Sequence, residues 1–211
     1  MSQAHALWYF DFISPFAYLQ WQRLRAPDSR IALEPRPILL AAVLTERGQK
    51  GPAEIPAKRV FTYQYVQWRA QAQGVTLRFP SAHPFNPIAA LRLCVACGCS
   101  AESVTAIYEH IWREGLAADT AEALAPVAAR LGIADTAVAI GAPEVKASLR
   151  EYTEEALRHG VFGVPTVRLN GRLFFGDDAT PMIEAYLDDP SLFDSEEMRR
   201  IADLPVAASR F

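Results

Sequence analysis

Gly163-Val164-Pro165-Thr166-Val167-Arg168-Leu169-Asn170-Gly171-Arg172-Leu173-Phe174-Phe175-Gly176-Asp177-Asp178 holds two short apolar runs around an Asn-Gly pair. That pair is the strongest short-range hairpin signal, because a two-residue type I′ turn needs φ > 0 at both central positions. Val167 and Leu169 alternate with polar neighbours, as in a half-buried strand. Pro165 stands just before the first run; lacking an N–H, proline suits the first residue or the edge of a strand. An X-Pro bond is also the one peptide bond in which cis is readily tolerated. A cis Val164-Pro165 bond would turn the Val164 N–H and C=O outward, toward an extended peptide. Taken alone, the segment reads as an ordinary edge hairpin opened by a trans proline.

The start of the chain supplies the rest of a sheet. Leu7-Trp8-Tyr9-Phe10-Asp11-Phe12-Ile13 is short, aromatic and β-prone, a buried first strand. Ser14-Pro15 follows at once: serine is a preferred N-cap and proline a preferred first helical residue. Phe16, Leu19 and Leu24 continue with helical spacing, and the helix ends near Arg25-Ala26-Pro27-Asp28. Residues 31–38 read as a second strand, which its two prolines end early or place at an edge.

Between this β-α-β start and the hairpin the pattern is almost wholly helical. Residues 41–51 are a loop or a short helix. Over 58–73, Phe61, Tyr65 and Trp68 at i, i+4, i+7 give an amphipathic helix, and an aromatic stripe of this kind is expected in the core. Pro84-Phe85-Asn86-Pro87 opens a helix over 88–97, and Ser100 caps one reaching Glu114. Asp119 or Thr120 starts another, ending at Gly132. Residues 136–140 form a short helix, and Pro143 begins one that stops at Gly160. After the hairpin, Asp178-Ala179-Thr180-Pro181 starts a last helix through Leu187. The tail, 189–211, is expected to pack against the body or a partner. This order is that of an α/β, thioredoxin-like fold with a large all-helical insertion: residues 1–40 and 160–211 make the thioredoxin-like domain and 41–159 the insertion. There the first helix's N-terminus and the proline before the third strand lie side by side. Ser14 and Val164-Pro165 then form one site, and a cis Pro165 is expected.

With 211 residues, 51% hydrophobic and 21% charged, the chain fits one globular unit with a sizeable insertion. A net charge of −3 gives no global basic field for nucleic acid. No run of roughly 18 apolar residues is present, so no membrane span is expected. Met1-Ser2-Gln3-Ala4-His5-Ala6 lacks the basic region and apolar run of a signal peptide. The three cysteines, 94, 97 and 99, are not a secreted disulfide framework, and a reducing cytoplasm is the expected location. Cys94 and Cys97 form a Cys-x-x-Cys at a helix C-terminus, where the dipole disfavours thiolate. No second ligand pair exists and His5, His83, His110 and His159 lack ligand spacing, so no metal is expected.

Phe10-Asp11-Phe12-Ile13-Ser14-Pro15-Phe16-Ala17 resembles the active-site segment of the kappa-class glutathione transferase and 2-hydroxychromene-2-carboxylate isomerase family, a DsbA-like branch of the thioredoxin fold. Phe162-Gly163-Val164-Pro165 and Phe175-Gly176-Asp177-Asp178 are similar to its second and third signatures. Gly48-Gln49-Lys50-Gly51-Pro52 with Pro56-Ala57-Lys58 is similar to a fourth. The likeness runs in order over nearly the whole chain. The segment from His83-Pro84-Phe85-Asn86-Pro87 to Arg92 resembles the isomerase side more than the transferase side. The resemblance implies a cytoplasmic, homodimeric enzyme of aromatic hydrocarbon catabolism with glutathione as cofactor.

DsbA-type oxidoreductases place Cys-x-x-Cys at the start of this helix; here it reads Ser14-Pro15-Phe16-Ala17, so disulfide exchange cannot run from it. The family implies that glutathione supplies the thiol. Ser14 would donate a hydrogen bond to its sulfur, and the helix N-terminus would add partial positive charge. Such a charge-assisted bond is worth about 1.5–3 kcal/mol, against about 1 kcal/mol for a plain N-cap. By the same resemblance Phe16, Val164 and Pro165 meet glutathione. Asp178 takes its ammonium, the helix start at Asp177-Asp178 its γ-glutamyl carboxylate, and Lys58 its glycyl carboxylate. Gln49 stands where the family often has asparagine, a shorter amide. The family's isomerase interconverts 2-hydroxychromene-2-carboxylate and trans-o-hydroxybenzylidenepyruvate by reversible thiolate addition to an unsaturated carbon. The substrate is then a small aromatic carboxylate. Lys50, Arg59 and Arg92 are alternatives for its anchor. Phe16, Phe61, Tyr65, Trp68 and Phe85 either line a pocket for its ring or belong to the core. His83 and Asn86 are pocket residues or turn and cap residues. A glutathione transferase or peroxidase, and a non-catalytic thioredoxin-like binding protein, are the rival readings.

Overall fold

The computed structural model describes residues 3–208. β1 (Ala4–Phe10), α1 (Pro15–Leu24) and β2 (Ile31–Pro37) make the β-α-β start. β1 and β2 run parallel, from Ala4 opposite Ile31 to Phe10 opposite Pro37. The helical block follows as α2 (Leu40–Glu46), α3 (Pro56–Ala72), α4 (Ile88–Ala96), α5 (Ala101–Tyr108), α6 (Ala121–Arg130), α7 (Thr136–Gly141) and α8 (Pro143–Arg158). β3 (Thr166–Leu169), β4 (Arg172–Phe175), α9 (Thr180–Asp188) and α10 (Glu196–Ala202) complete the chain. The sheet order is β2-β1-β3-β4, with β3 antiparallel to both of its neighbours. The prolines of β2 are tolerated because it is an edge strand. Asn170 (φ 49°) and Gly171 (φ 83°) close the β3–β4 hairpin, as the type I′ reading requires. The Val164-Pro165 bond is cis, as the fold order leads one to expect and against the trans reading of the isolated segment.

β1 is covered on both faces, which is why it reads as a continuous apolar run. Ala6, Trp8 and Phe10 enter a core with Leu19, Trp21, Tyr108 and Val167. Tyr9 faces a second core with Ile38, Val43, Ala156, Val161 and Val164. Ala156 brings α8 onto that second face. The first core holds Trp8 stacked on Phe10 (4.4 Å) and Trp21 (5.0 Å), with Tyr108 of the helical block at 6.2 Å.

α3 overturns one expectation. Its aromatic stripe is not core: Phe61 is 66% and Trp68 60% exposed. The helix buries Val66 and Ala70 instead, a narrow i, i+4 face. The aromatic rings stack on one another, Phe61 on Tyr65 at 5.8 Å and Tyr65 on Trp68 at 5.9 Å. The tail divides. Leu192 and Phe193 pack on the first core, with Arg172 over the Phe193 ring at 4.6 Å. α10, which the sequence reading did not foresee, buries no side chain. Residues 1–2 and 209–211 lie outside the described residues. Among the described residues no helix is long and apolar enough to cross a membrane.

Candidate active site

Ser14 is the N-cap of α1. Its backbone is extended (φ −91°, ψ 112°), Pro15 takes the first helical position, and Ser14 Oγ accepts the Ala17 N–H at 3.2 Å. The Tyr18 N–H donates to the Ser14 carbonyl at 3.3 Å. Pro15 has no N–H, so among the described residues Phe16 is the first-turn residue whose N–H finds no acceptor. The Ser14 hydroxyl proton likewise finds none there. A helix start with an unclaimed N–H, an unclaimed O–H and the positive end of the dipole is suited to an anion. Before it the chain turns at Asp11, where the Ser14 N–H donates to the Asp11 carbonyl at 3.0 Å. The Asp11 side chain is fully buried; Oδ1 accepts the Ile13 N–H (3.1 Å) and Oδ2 the Leu40 N–H (2.9 Å). Burial pushes this carboxyl up to about 7, against the pull of the backbone donors.

The hairpin reaches the same end of the sheet. Continuing the β1–β3 register past Tyr9 opposite Thr166 sets Phe10 opposite Pro165 and Asp11 opposite Val164. Val164 is 9% exposed, yet neither its N–H nor its C=O finds a partner among the described residues. An unpaired N–H and C=O on one residue beside a sheet is what an added strand pairs with. The Gly176 N–H donates to the Pro165 carbonyl (2.9 Å), and Gln20 Nε2 of α1 donates to the Gly176 carbonyl (2.8 Å). These bonds tie α1, Pro165 and the Gly176-Asp177-Asp178 turn together. Gly176 sits at φ 92°, ψ 157°, a region only glycine enters readily, and a side chain there would meet Asp178 Oδ1. Asp177 is buried against Arg69 of α3, with Nη2 2.8 Å from Oδ2. Burial raises the Asp177 carboxyl above its ordinary range, and the Arg69 guanidinium pulls it back. The Phe16 and Tyr65 rings are 6.2 Å apart, and the Arg69 guanidinium lies over Tyr65 at 5.8 Å. Ser14, Phe16, Tyr65, Val164, Pro165, Asp177 and Asp178 thus gather at one end of the sheet.

The other sequence candidates are more scattered. Lys58 and Arg59 are exposed in the first turn of α3, whose N-cap Ile55 offers no side-chain acceptor. Lys58 shares a helix face with Tyr65, seven residues on. Gln49 and Lys50 are exposed between α2 and the turn at Pro52–Glu54. His83 is committed within the fold rather than turned to a pocket. Its Nε2 donates to the Ile13 carbonyl at 2.8 Å, and the Tyr63 hydroxyl lies 2.6 Å from Nδ1. Burial holds its imidazole below the usual value, consistent with a neutral ring. Asn86 is a turn residue before Pro87, the N-cap of α4, and its Oδ1 accepts the Ile88 N–H at 3.1 Å. Phe85 packs against the first core. Arg92 is half-buried one turn into α4, and its Nε has no partner among the described residues. Two residues escaped the sequence reading. Arg69 continues the Tyr65 face at i+4, and Asp11 is the lone charge in an apolar strand run; both signals were present. The cysteines stand apart. Gly98 (φ 68°) closes α4 in a Schellman turn that brings the Cys99 N–H to the Cys94 carbonyl at 2.9 Å, and all three thiols are free.

The DSBA-like thioredoxin domain family matches residues 7–188. A 2-hydroxychromene-2-carboxylate isomerase of Pseudomonas putida is 32% identical over 185 residues, spanning 84% of this chain and 91% of that protein. The chain belongs to the 2-hydroxychromene-2-carboxylate isomerase family. A solved structure of a 2-hydroxychromene-2-carboxylate isomerase agrees with a TM-score of 0.76 at 27% identity, covering 96% of this chain and all of that one (100%). The isomerase family shades into another. The Caenorhabditis elegans glutathione S-transferase kappa 2 is 26% identical, over 86% of this chain and 91% of its own length. Both the resemblance read from the four motifs and the DsbA-like thioredoxin fold stand on these matches.

Proposed function

We propose that the protein is a glutathione-dependent isomerase interconverting 2-hydroxychromene-2-carboxylate-type compounds and trans-o-hydroxybenzylidenepyruvate in aromatic catabolism. The observation that carries this reading is a serine N-cap, with its hydroxyl proton uncommitted, where a DsbA-type protein would hold a thiol. The residues present fit glutathione. Val164 offers an unpaired N–H and C=O to its cysteinyl backbone. Asp177 is already neutralised by Arg69, so Asp178 is the carboxylate for its ammonium. The backbone at Asp177-Asp178, at the start of the turn Asp177–Ala179, suits its γ-glutamyl carboxylate. Lys58 stands at the positive end of α3, where a cation is misplaced unless an anion joins it, and suits the glycyl carboxylate together with Gln49.

Held there, glutathione would supply a nucleophilic thiolate, the group that reversible addition to and release from the substrate's unsaturated carbon requires. Ser14 donates its O–H to the sulfur, and the Phe16 N–H adds a second donor from the first turn of α1. Both stabilise the thiolate over the thiol. Phe16 and Tyr65 offer their ring faces to the substrate, and Lys50, Arg59 and Arg92 are the alternatives for the one cation that meets its carboxylate. We also assign the protein to the cytoplasm as a homodimer, with the exposed aromatic face of α3 available to a partner.

Ser14→Ala tests the reading. It should lower turnover of trans-o-hydroxybenzylidenepyruvate by about tenfold to a hundredfold, from the loss of one charge-assisted bond. Protein freed of small molecules by gel filtration should be inactive until glutathione is added. Unchanged turnover in the variant would overturn this role of Ser14, and a melting temperature that millimolar glutathione does not raise would leave a non-catalytic binding protein as the better account. The kappa-class relative favours a second reading, a transferase or peroxidase. Glutathione consumed in step with substrate, rather than recovered, would establish that one.

A further inference from the structure

Three consecutive carbonyls of the turn before Ser14 are each held by a side chain of the helical block. Tyr108 Oη donates to the Asp11 carbonyl (3.3 Å), Trp112 Nε1 to that of Phe12 (2.8 Å) and His83 Nε2 to that of Ile13 (2.8 Å). Two of the turn's own donors are committed as well, Ile13 N–H to Asp11 Oδ1 and Ser14 N–H to the Asp11 carbonyl. A turn can satisfy its carbonyls with water or with neighbouring backbone. This one uses three stiff aromatic donors from outside the thioredoxin-like half.

The donors are themselves fixed. Tyr108 and Trp112 are fully buried. After α5 the helix widens into a π-turn over Glu109–Arg113, where the Glu114 N–H bonds the Glu109 carbonyl at 2.9 Å. Single π-turns are rare and recur at functional sites. This one carries Trp112. Its ring meets Phe79 at 5.2 Å and His83 at 5.4 Å, both edge-on. His83 is braced in turn by the Tyr63 hydroxyl.

We propose that Trp112, Tyr108 and His83 are positioning residues: the helical block sets where the Ser14 hydroxyl stands by fixing the three peptide groups that lead to it. The inference rests on the reading of Ser14 as the donor to a glutathione thiolate. None of the three need touch substrate. Removing the Trp112 or His83 donor leaves the Phe12 or Ile13 carbonyl without its partner, and removing the Tyr108 hydroxyl leaves the Asp11 carbonyl with the Ser14 N–H alone, so the turn relaxes. Ser14 would still cap α1 through the Ala17 N–H, but its hydroxyl would lose its aim.

Trp112→Phe and Tyr108→Phe each delete a donor and keep an aromatic ring. Trp21→Phe is the control. It deletes another buried indole donor, Nε1 to Thr105 Oγ1 at 3.0 Å, between α1 and α5. The readouts are the melting temperature and the pKa of bound glutathione, followed by the ultraviolet absorbance of its thiolate. Trp112→Phe and Tyr108→Phe should raise that pKa by about half a unit, roughly a threefold loss of thiolate at a fixed pH below it. Trp21→Phe should lower the melting temperature and leave the pKa in place. Ser14→Ala should then raise the pKa by less in the Trp112→Phe background than in the wild type, since the two changes act on one bond. If the aromatic variants fold poorly, His83→Gln, which keeps an N–H for the Ile13 carbonyl, is compared with His83→Leu, which does not. Variants that lower only the melting temperature, with additive effects of Ser14→Ala, would overturn the inference and leave the Ser14 reading intact. Wild-type protein that binds no glutathione would overturn that reading, and the inference with it.

Discussion

Asp11 is where one residue's chemistry is most exposed to measurement. Its carboxyl titrates near 7 when folded, above its ordinary value, because burial penalises the charge. Between about pH 4 and pH 7 the folded chain therefore holds a proton that the unfolded chain has released. Stability from this group is fully present below that window and falls as pH rises through it, by an order-of-magnitude total of about 4 kcal/mol. Asp11→Asn cannot titrate. In urea unfolding at a series of pH values, the stability of wild type relative to the variant should drop as pH rises from 4 to 7. A constant difference would mean the carboxyl is ionised throughout, held by the Ile13 and Leu40 N–H groups. Gly176 makes a second single-residue forecast. Alanine there must adopt φ near 92° and displace the Asp178 carboxylate. We expect about 1–3 kcal/mol of lost stability. Glutathione affinity, measured by calorimetry, should fall as well, because Asp178 is the residue moved.

Among the elements, α3 separates what pattern reveals from what packing decides. Phe61→Ser and Trp68→Ser, at exposed positions, should change folding stability by no more than about 0.5 kcal/mol. Val66→Ala, on the buried face, should cost about 2 kcal/mol. If the aromatic face meets a second copy, the two serine variants should also shift the sedimentation coefficient toward that of a monomer. The existence and ends of α3 were legible from its period, but its orientation was not. Phe61, Tyr65 and Trp68 outweigh Val66 and Ala70 in any hydrophobic count, and nothing local says that the smaller face is the one that docks. The hairpin was legible for the opposite reason. Asn170 and Gly171 carry their conformation in their own sterics, and no distant contact can overrule it. The site was half legible. Ser14, Pro165 and the Asp177-Asp178 turn sit in local signals for caps and turns. Arg69 finds Asp177 only through the tertiary meeting of α3 with the turn after β4. The hold on the Ser14 turn depends on a π-turn that no residue pattern marks. His83, read as a pocket or turn residue, does stand in the bend before Pro84, but its hold on the Ile13 carbonyl was hidden because its partners lie far away in sequence.

At the scale of the whole molecule, the sheet and the helical block share one core. Trp8 of β1 and Trp21 of α1 pack with Tyr108 of the block, and the turn before Ser14 hangs its carbonyls on the block's side chains. The two parts should therefore melt together. Far-ultraviolet and near-ultraviolet circular dichroism should give one coincident transition, and residues 41–159 expressed alone should lack a cooperative one. Two separated transitions would show that the block folds by itself. The sulfur-free start of α1 reaches further still, into the life of the cell. A thioredoxin relative with a cysteine at that point can be silenced by peroxide or an alkylating agent and must be repaired. With serine there, and with the chain's own thiols placed at the end of α4, a peroxide or alkylating agent finds no cysteine at the start of α1. On the proposed glutathione-dependent mechanism, activity would follow the supply of reduced glutathione instead, idling when the supply is drained and resuming when it returns, with no mending of the protein required.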